Sequence, residues 1–180
     1  HKLTGEIERI GSEKLEPLNA TDIFCARNGD IWVGGDRGLF RKRKAEDVFE
    51  RIDLSSRRLG GVSSIMEDTQ GNIWIAACES GLYRYDAGRN KFYTYLDPVL
   101  YFSNVVFQDD KQQIWVGTWD RGLVKLKTPY TTGRMQYDRF HRVEGEENTL
   151  YDNIVYAIEQ DELHRIWVGT RSGLSIMHDE

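Results

Sequence analysis

Short apolar runs, each closed by a polar turn, recur along this chain with a period near forty residues. The plainest is Asn72-Ile73-Trp74-Ile75, which returns as Asp30-Ile31-Trp32-Val33, Gln113-Ile114-Trp115-Val116 and Arg165-Ile166-Trp167-Val168. Each run is followed by a few polar residues and then Gly-Leu, at Gly38-Leu39, Gly81-Leu82, Gly122-Leu123 and Gly173-Leu174. The tryptophans are spaced 74 − 32 = 42, 115 − 74 = 41 and 167 − 115 = 52 residues apart. A period of about forty with an aromatic anchor predicts an all-β fold of β-propeller blades, each of four antiparallel strands. The run Ile73-Trp74-Ile75-Ala76 is apolar on both faces, as a strand covered on both sides must be. The two strands expected after it, Leu82-Tyr83-Arg84-Tyr85 and Lys91-Phe92-Tyr93-Thr94-Tyr95, are amphipathic and aromatic, as befits strands nearing the rim.

On this pattern residues 1–180 form one propeller segment, with blade 1 at 20–53, blade 2 at 62–96, blade 3 at 103–143 and blade 4 at 152–178. Blade 4 lacks an outer strand. The longer third spacing places an insertion in Lys127 to Arg134, ahead of an outer strand between Gln136 and Val143. Residues 6–10, Glu-Ile-Glu-Arg-Ile, mix polar and apolar positions and read as an isolated outer strand. Either this strand completes blade 4 and closes a four-bladed ring, or the chain is a piece of a longer propeller. The second is preferred. It predicts exposed end faces that pair with other blades or with a second copy, so that a dimer is expected. His1, with neither an initiator Met nor a signal peptide before it, fits a mature or excised piece.

The repeated residues have physical tasks. Trp32, Trp74, Trp115 and Trp167 are expected to wedge between adjacent blades. Gly38, Gly81, Gly122 and Gly173 are expected at turn positions that favour positive φ. Asp68, Asp109 and Asp161 stand six residues before their tryptophans and suit hydrogen bonds from the turn backbone, whereas the first unit has Ala26 there.

Charge and composition narrow the function. A net charge of −5 argues against a nucleic-acid-binding surface, and Arg41-Lys42-Arg43-Lys44 reads as a solvated strand end. No run approaches the roughly 18 apolar residues that would insert in a membrane. Cys25 and Cys78 fit neither a disulfide framework nor a metal site and read as small core residues. No cofactor is expected.

The pattern Val62-x-x-Ile65-x-Glu67-Asp68-x-x-Gly71-Asn72-Ile73-Trp74-Ile75, followed by Gly81-Leu82-Tyr83-Arg84-Tyr85-Asp86, closely resembles the two-component regulator propeller repeat. Departures are few: Gln112 and His164 stand where the family usually has Gly, Gly35 and Ala77 where it has Thr, and Ala26 where it has Asp. The resemblance implies a segment of the periplasmic sensor region of a hybrid two-component histidine kinase. By that resemblance the segment is non-catalytic, its ligand is a glycan-derived oligosaccharide, and the output is transcription of carbohydrate-utilisation genes.

In a propeller the loops joining second to third strands, and each blade to the next, emerge on one face. Here they carry Arg37, Glu79, Trp119, Asp120, Arg121 and Arg171, with Tyr101 and Tyr151 between blades. Trp119 lies outside the repeated position, and an exposed indole beside hydrogen-bonding charges suits a sugar. Two other readings remain open. The chain could be a docking scaffold without its own ligand. It could be a propeller glycosidase, although no matched pair of carboxylates and no nucleophile–base arrangement stands out.

Overall fold

The structure, a computed structural model, describes residues 5, 7–53, 61–130 and 135–178. Fifteen strands are assigned among them. Blade 1 contains β1 (Ala20–Cys25), β2 (Ile31–Gly35), β3 (Gly38–Lys42) and β4 (Glu50–Ile52). Blade 2 contains β5 (Val62–Glu67), β6 (Ile73–Ala77), β7 (Gly81–Asp86) and β8 (Lys91–Tyr95). Blade 3 contains β9 (Ser103–Gln108), β10 (Ile114–Thr118), β11 (Leu123–Leu126) and β12 (Tyr137–Phe140), with a 3-10 turn at Leu100–Phe102 before it. Blade 4 contains β13 (Val155–Gln160), β14 (Ile166–Thr170) and β15 (Gly173–Met177). Each sheet is an antiparallel meander in chain order, so every strand pairs with the next one along the chain.

The core lies between blades. Strand β6 shows why: Trp74 and Ala76 join Val106, Ile114 and Val116 of blade 3, while Ile73, Ile75 and Ala77 join Trp32 and Leu39 of blade 1. Trp115 fills the same place between blades 3 and 4, against Val155, Ile158 and Ile166. Three indoles are thus fully buried wedges. Trp167 is only half-buried, because the face of blade 4 turned away from blade 3 is open among the described residues. That face exposes Leu174 by 65% and Ile176 by 40%, and at the other end Ile23 of β1 is equally bare.

Close approach between blades needs small residues at the second position after tryptophan. A Cβ on Gly34 would lie 2.4 Å from Val62 Cγ1, and one on Gly117 2.5 Å from Val155 Cγ1. The hairpin glycine Gly122 combines φ +84° with a carbonyl, that of Phe140, 2.2 Å from any added Cβ. Gly38 and Gly81 also have positive φ, but Gly173, at the start of β15, does not. Gln112 and His164 adopt the left-handed conformation that glycine holds in blades 1 and 2.

Polar links tie each blade to the next. Side chains at the second inner-strand position donate to the next blade's first inner-strand carbonyl: Thr21 to Val62, Ser63 to Ser103 at 3.4 Å, and Asn104 to Val155 at 2.8 Å. In the other direction Glu67, Gln108 and Gln160 accept from the backbone amides of Arg27, Thr69 and Asp110 in the preceding blade, at 2.7–2.9 Å.

Three expectations need correction. Residues 7–10 form no strand, Ile7 is 92% exposed, and Glu6 lies outside the described residues. The segment after them follows blade 1, with the Phe49 amide donating to the Lys14 carbonyl at 2.8 Å. Without a partner ladder the alternating pattern has nothing to fold against, and blade 4 has three strands among the described residues. Arg41 is not a solvated strand end. Its guanidinium is buried against Trp32 and Tyr85 and bonded to Asp30 at 2.6 Å. Cys25 is exposed at the end of β1, where the equivalent residues of the other blades are polar.

The insertion after β11 lies partly outside the described residues, at 131–134. Its described part brings Tyr130 edge-on to the Trp74 ring at 5.1 Å.

Candidate functional site

The β-hairpins fix one loop face. In every blade the backbone amide four residues after tryptophan donates to the carbonyl just before the inner strand. The pairs are Asp36 to Asn19, Cys78 to Gly61, Trp119 to Phe102 and Arg171 to Ile154. This common bond puts four unlike side chains at equivalent positions: a carboxylate, a thiol, an indole and a guanidinium. Asp36 is engaged by Asn19 through two hydrogen bonds of 2.8–2.9 Å. Arg171 is held by Asp152 at 3.1 Å, and Ser172 donates to the same carboxylate at 2.6 Å. The Ser172 hydroxyl, the Ile154 amide and Arg171 together keep the Asp152 carboxyl below its ordinary range.

Trp119 has no such tether on its ring among the described residues. It is 38% exposed and meets Tyr156 of β13 at 5.6 Å with the rings at 87°, a perpendicular corner straddling blades 3 and 4. Tyr156, 48% exposed, occupies the inner-strand position that holds Thr21, Ser63 and Asn104 in the other blades. Beside the corner Asp120 and Arg121 form an exposed pair at 3.5 Å, and the Arg121 carbonyl accepts from Arg139 at 2.7 Å. Burial pushes the Cys78 thiol up, with Glu79 and Asp120 adding to the effect. Tyr101 stands edge-on to Phe102 at 5.0 Å, next to the Trp119 backbone.

Trp119, Asp120 and Arg121 stand on the blade 3 hairpin, with Tyr101 next to the Trp119 backbone and Glu79 on the blade 2 hairpin. Arg171 and Tyr151 belong to blade 4, where the Tyr151 ring covers Gly173 and its amide donates to Ser175 at 2.9 Å. Arg37, on the blade 1 hairpin, has no hydrogen bond or ion pair to the others among the described residues. Tyr156 was not singled out by its spacing, because the contact that makes it part of the corner crosses between blades. Among the described residues no three His, Cys, Asp or Glu side chains group as metal ligands. No helix among them is long and apolar enough to cross a membrane.

Comparison with known proteins agrees with this architecture. Residues 58–78 match the family model of the two component regulator propeller. Histidine kinase P4 of Formosa agariphila is 42% identical over 78 residues, which is 38% of this chain and 6% of that protein. The extracellular domain of the hybrid two component system BT4673 from B. thetaiotaomicron superposes with a TM-score of 0.77 at 24% identity, over 93% of this chain and 22% of that one. The corresponding domain of BT3049 gives 0.70 at 26% identity, over 95% and 23%. The chain thus spans under a quarter of each of these relatives. One stretch of the chain resembles the two component regulator propeller, and the fold is an all-β propeller arrangement similar to the extracellular domains of hybrid two component systems.

Proposed function

We propose that this chain is a non-catalytic, periplasmic segment of the sensor region of a hybrid two-component histidine kinase. Its ligand is a glycan-derived oligosaccharide, and the signal passes to transcription of carbohydrate-utilisation genes. The observation that carries the ligand class is the perpendicular Trp119–Tyr156 corner beside Asp120 and Arg121. One ring stacks on the C–H face of a sugar, the other limits its edge, and the charged neighbours supply donors and acceptors for hydroxyls. The rings already touch each other, so little ordering is needed on binding. Calorimetry of the purified chain against an oligosaccharide panel tests this. Trp119→Ala and Tyr156→Ala should each weaken binding by at least about tenfold, as loss of an aromatic anchor does. Unchanged affinity in both variants would refute the site.

A second reading, a docking scaffold that pairs with other blades or a second copy, draws support from the bare apolar faces at Ile23 and at Leu174 and Ile176. Ligand binding only by a longer piece of the protein would favour it.

A further inference from the structure

The Asp–Trp pairing of the blades is broken in one place. In blade 2 the Asp68 carboxylate accepts the Trp74 indole N–H at 2.8 Å and the amides of Gln70 and Asn72 at 3.0 and 2.8 Å. Asp109 does the same for Trp115 at 2.8 Å and the Gln113 amide at 2.7 Å. Asp161 accepts from Trp167 at 2.7 Å and from the Leu163 and Arg165 amides at 3.0 Å. Blade 1 presents the same donors, but the acceptor position is Ala26.

The turn has adapted and the indole has not. The Asn28 side chain takes over the Asp30 amide at 2.9 Å, and the Ala26 carbonyl accepts from Gly29 at 2.8 Å. The Trp32 residue is only 1% exposed, and its Nε1 has no acceptor among the described residues; the Asn28 backbone amide has none there either, while its side-chain amide donates to Asp30 at 3.0 Å. The indole donor is not sealed from solvent as Arg84 Nε is, so the indole edge faces an opening through which an acceptor can reach it.

The vacated position opens into a crevice of about 460 Å³ between blades 1 and 2, lined by Ala26, Arg27, Asn28, Trp32, Asn72 and Tyr85 among others. That is the scale of small-molecule sites and larger than one carboxylate requires. The charges around it are matched. Glu67 is paired with Arg27 at 3.1 Å, Asp86 with Arg89 at 2.8 Å and Asp30 with Arg41 at 2.6 Å, so an incoming anion meets no unpaired carboxylate.

We propose that this crevice binds a small carboxylate-bearing molecule, whose carboxylate accepts the Trp32 indole N–H in the place that an aspartate fills in the other three blades. The site lies on the turn side of the blades, away from the Trp119 loops, and stands independently of the oligosaccharide reading. The body of the ligand occupies the rest of the crevice against Tyr85 and Asn72.

The test is a titration of the full chain with acetate, read from the indole N–H resonances of isotope-labelled protein, with chloride and acetamide as controls. The Trp32 resonance should shift saturably with acetate and with neither control. Ala26→Asp, which installs the side chain its sister blades already tolerate, should displace that resonance before any addition and abolish the response. Trp32→Phe, which keeps the ring and removes the donor, should lose the acetate-dependent rise in melting temperature. A Trp32 resonance unmoved by acetate, or moved equally in Ala26→Asp, would overturn the proposal.

Discussion

Replacing Asp68 with Ala examines the lock that holds each wedge in place. The Asp68 side chain is 3% exposed, and its two oxygens accept five hydrogen bonds of 2.8–3.1 Å, from Gln70, Asn72 and Trp74. Truncation strands the Trp74 indole N–H, which is wholly buried beside the Tyr95 and Tyr130 rings. An abandoned donor of that kind costs about 1–3 kcal/mol. The Gln70 amide is on an exposed residue and can turn to water, adding on the order of 0.5 kcal/mol, while the amide of buried Asn72 adds about 1 kcal/mol. The expected loss is about 3 kcal/mol, a large part of a typical stability of about 5–15 kcal/mol. Trp74→Phe removes the donor while keeping an aromatic wedge, so the double-mutant cycle isolates the indole–carboxylate bond. The coupling should be about 1.5–3 kcal/mol, as for hydrogen bonds to a charged group. Urea denaturation at neutral pH, extrapolated to water, measures all four proteins. A loss below about 0.5 kcal/mol for Asp68→Ala, or a coupling near zero, would refute the lock.

Two further outcomes follow from the same geometry. Gly117→Ala places a Cβ 2.5 Å from Val155 and 2.6 Å from Val105, and should cost about 1–3 kcal/mol by overpacking. Gly169→Ala, whose nearest neighbour would be Ala157 Cβ at 3.3 Å on its own blade, should cost less, and equal losses in chemical denaturation would contradict the interblade explanation. In acid, Asp161 is held well below the usual carboxylate range, first by the Trp167 indole and then by Arg165, while hydrogen bonds from Arg41 and Lys44 outweigh burial and lower Asp30. Both titrate lower folded than unfolded, so their contribution is complete above the ordinary value of 3.8 and disappears as pH falls through the folded values. Melting temperature should therefore drop below about pH 4, and Asp161→Asn should flatten that limb; an unchanged limb in the variant would argue against the assignment.

The blades could be read from residues because each depends on signals within forty positions: an indole, a turn and a Gly-Leu pair. The Asp six places before tryptophan was visible too, but only as a turn acceptor. Its bond to the indole depends on how a β-hairpin folds Asp68 back beside Trp74, and spacing alone does not state that. Tyr156 escaped notice because its position is occupied by Thr21, Ser63 and Asn104 elsewhere, and its partner Trp119 belongs to another sheet. Residues 7–10 show the reverse failure. Ile7 and Ile10 have a strand-like sequence, yet a strand exists only where a neighbouring edge accepts it.

The chain of polar links from blade to blade has a mechanical implication. Because each sheet is fastened only to those beside it, strain introduced at one seam relaxes within a blade or two, as in other stacked repeats. Among the described residues blade 4 has three strands and packs on blade 3 alone, so a tilt at that seam is not shared with other sheets. Tyr156 belongs to blade 4 and Trp119 to blade 3, so the gap between the two rings is a gauge of any tilt at that seam.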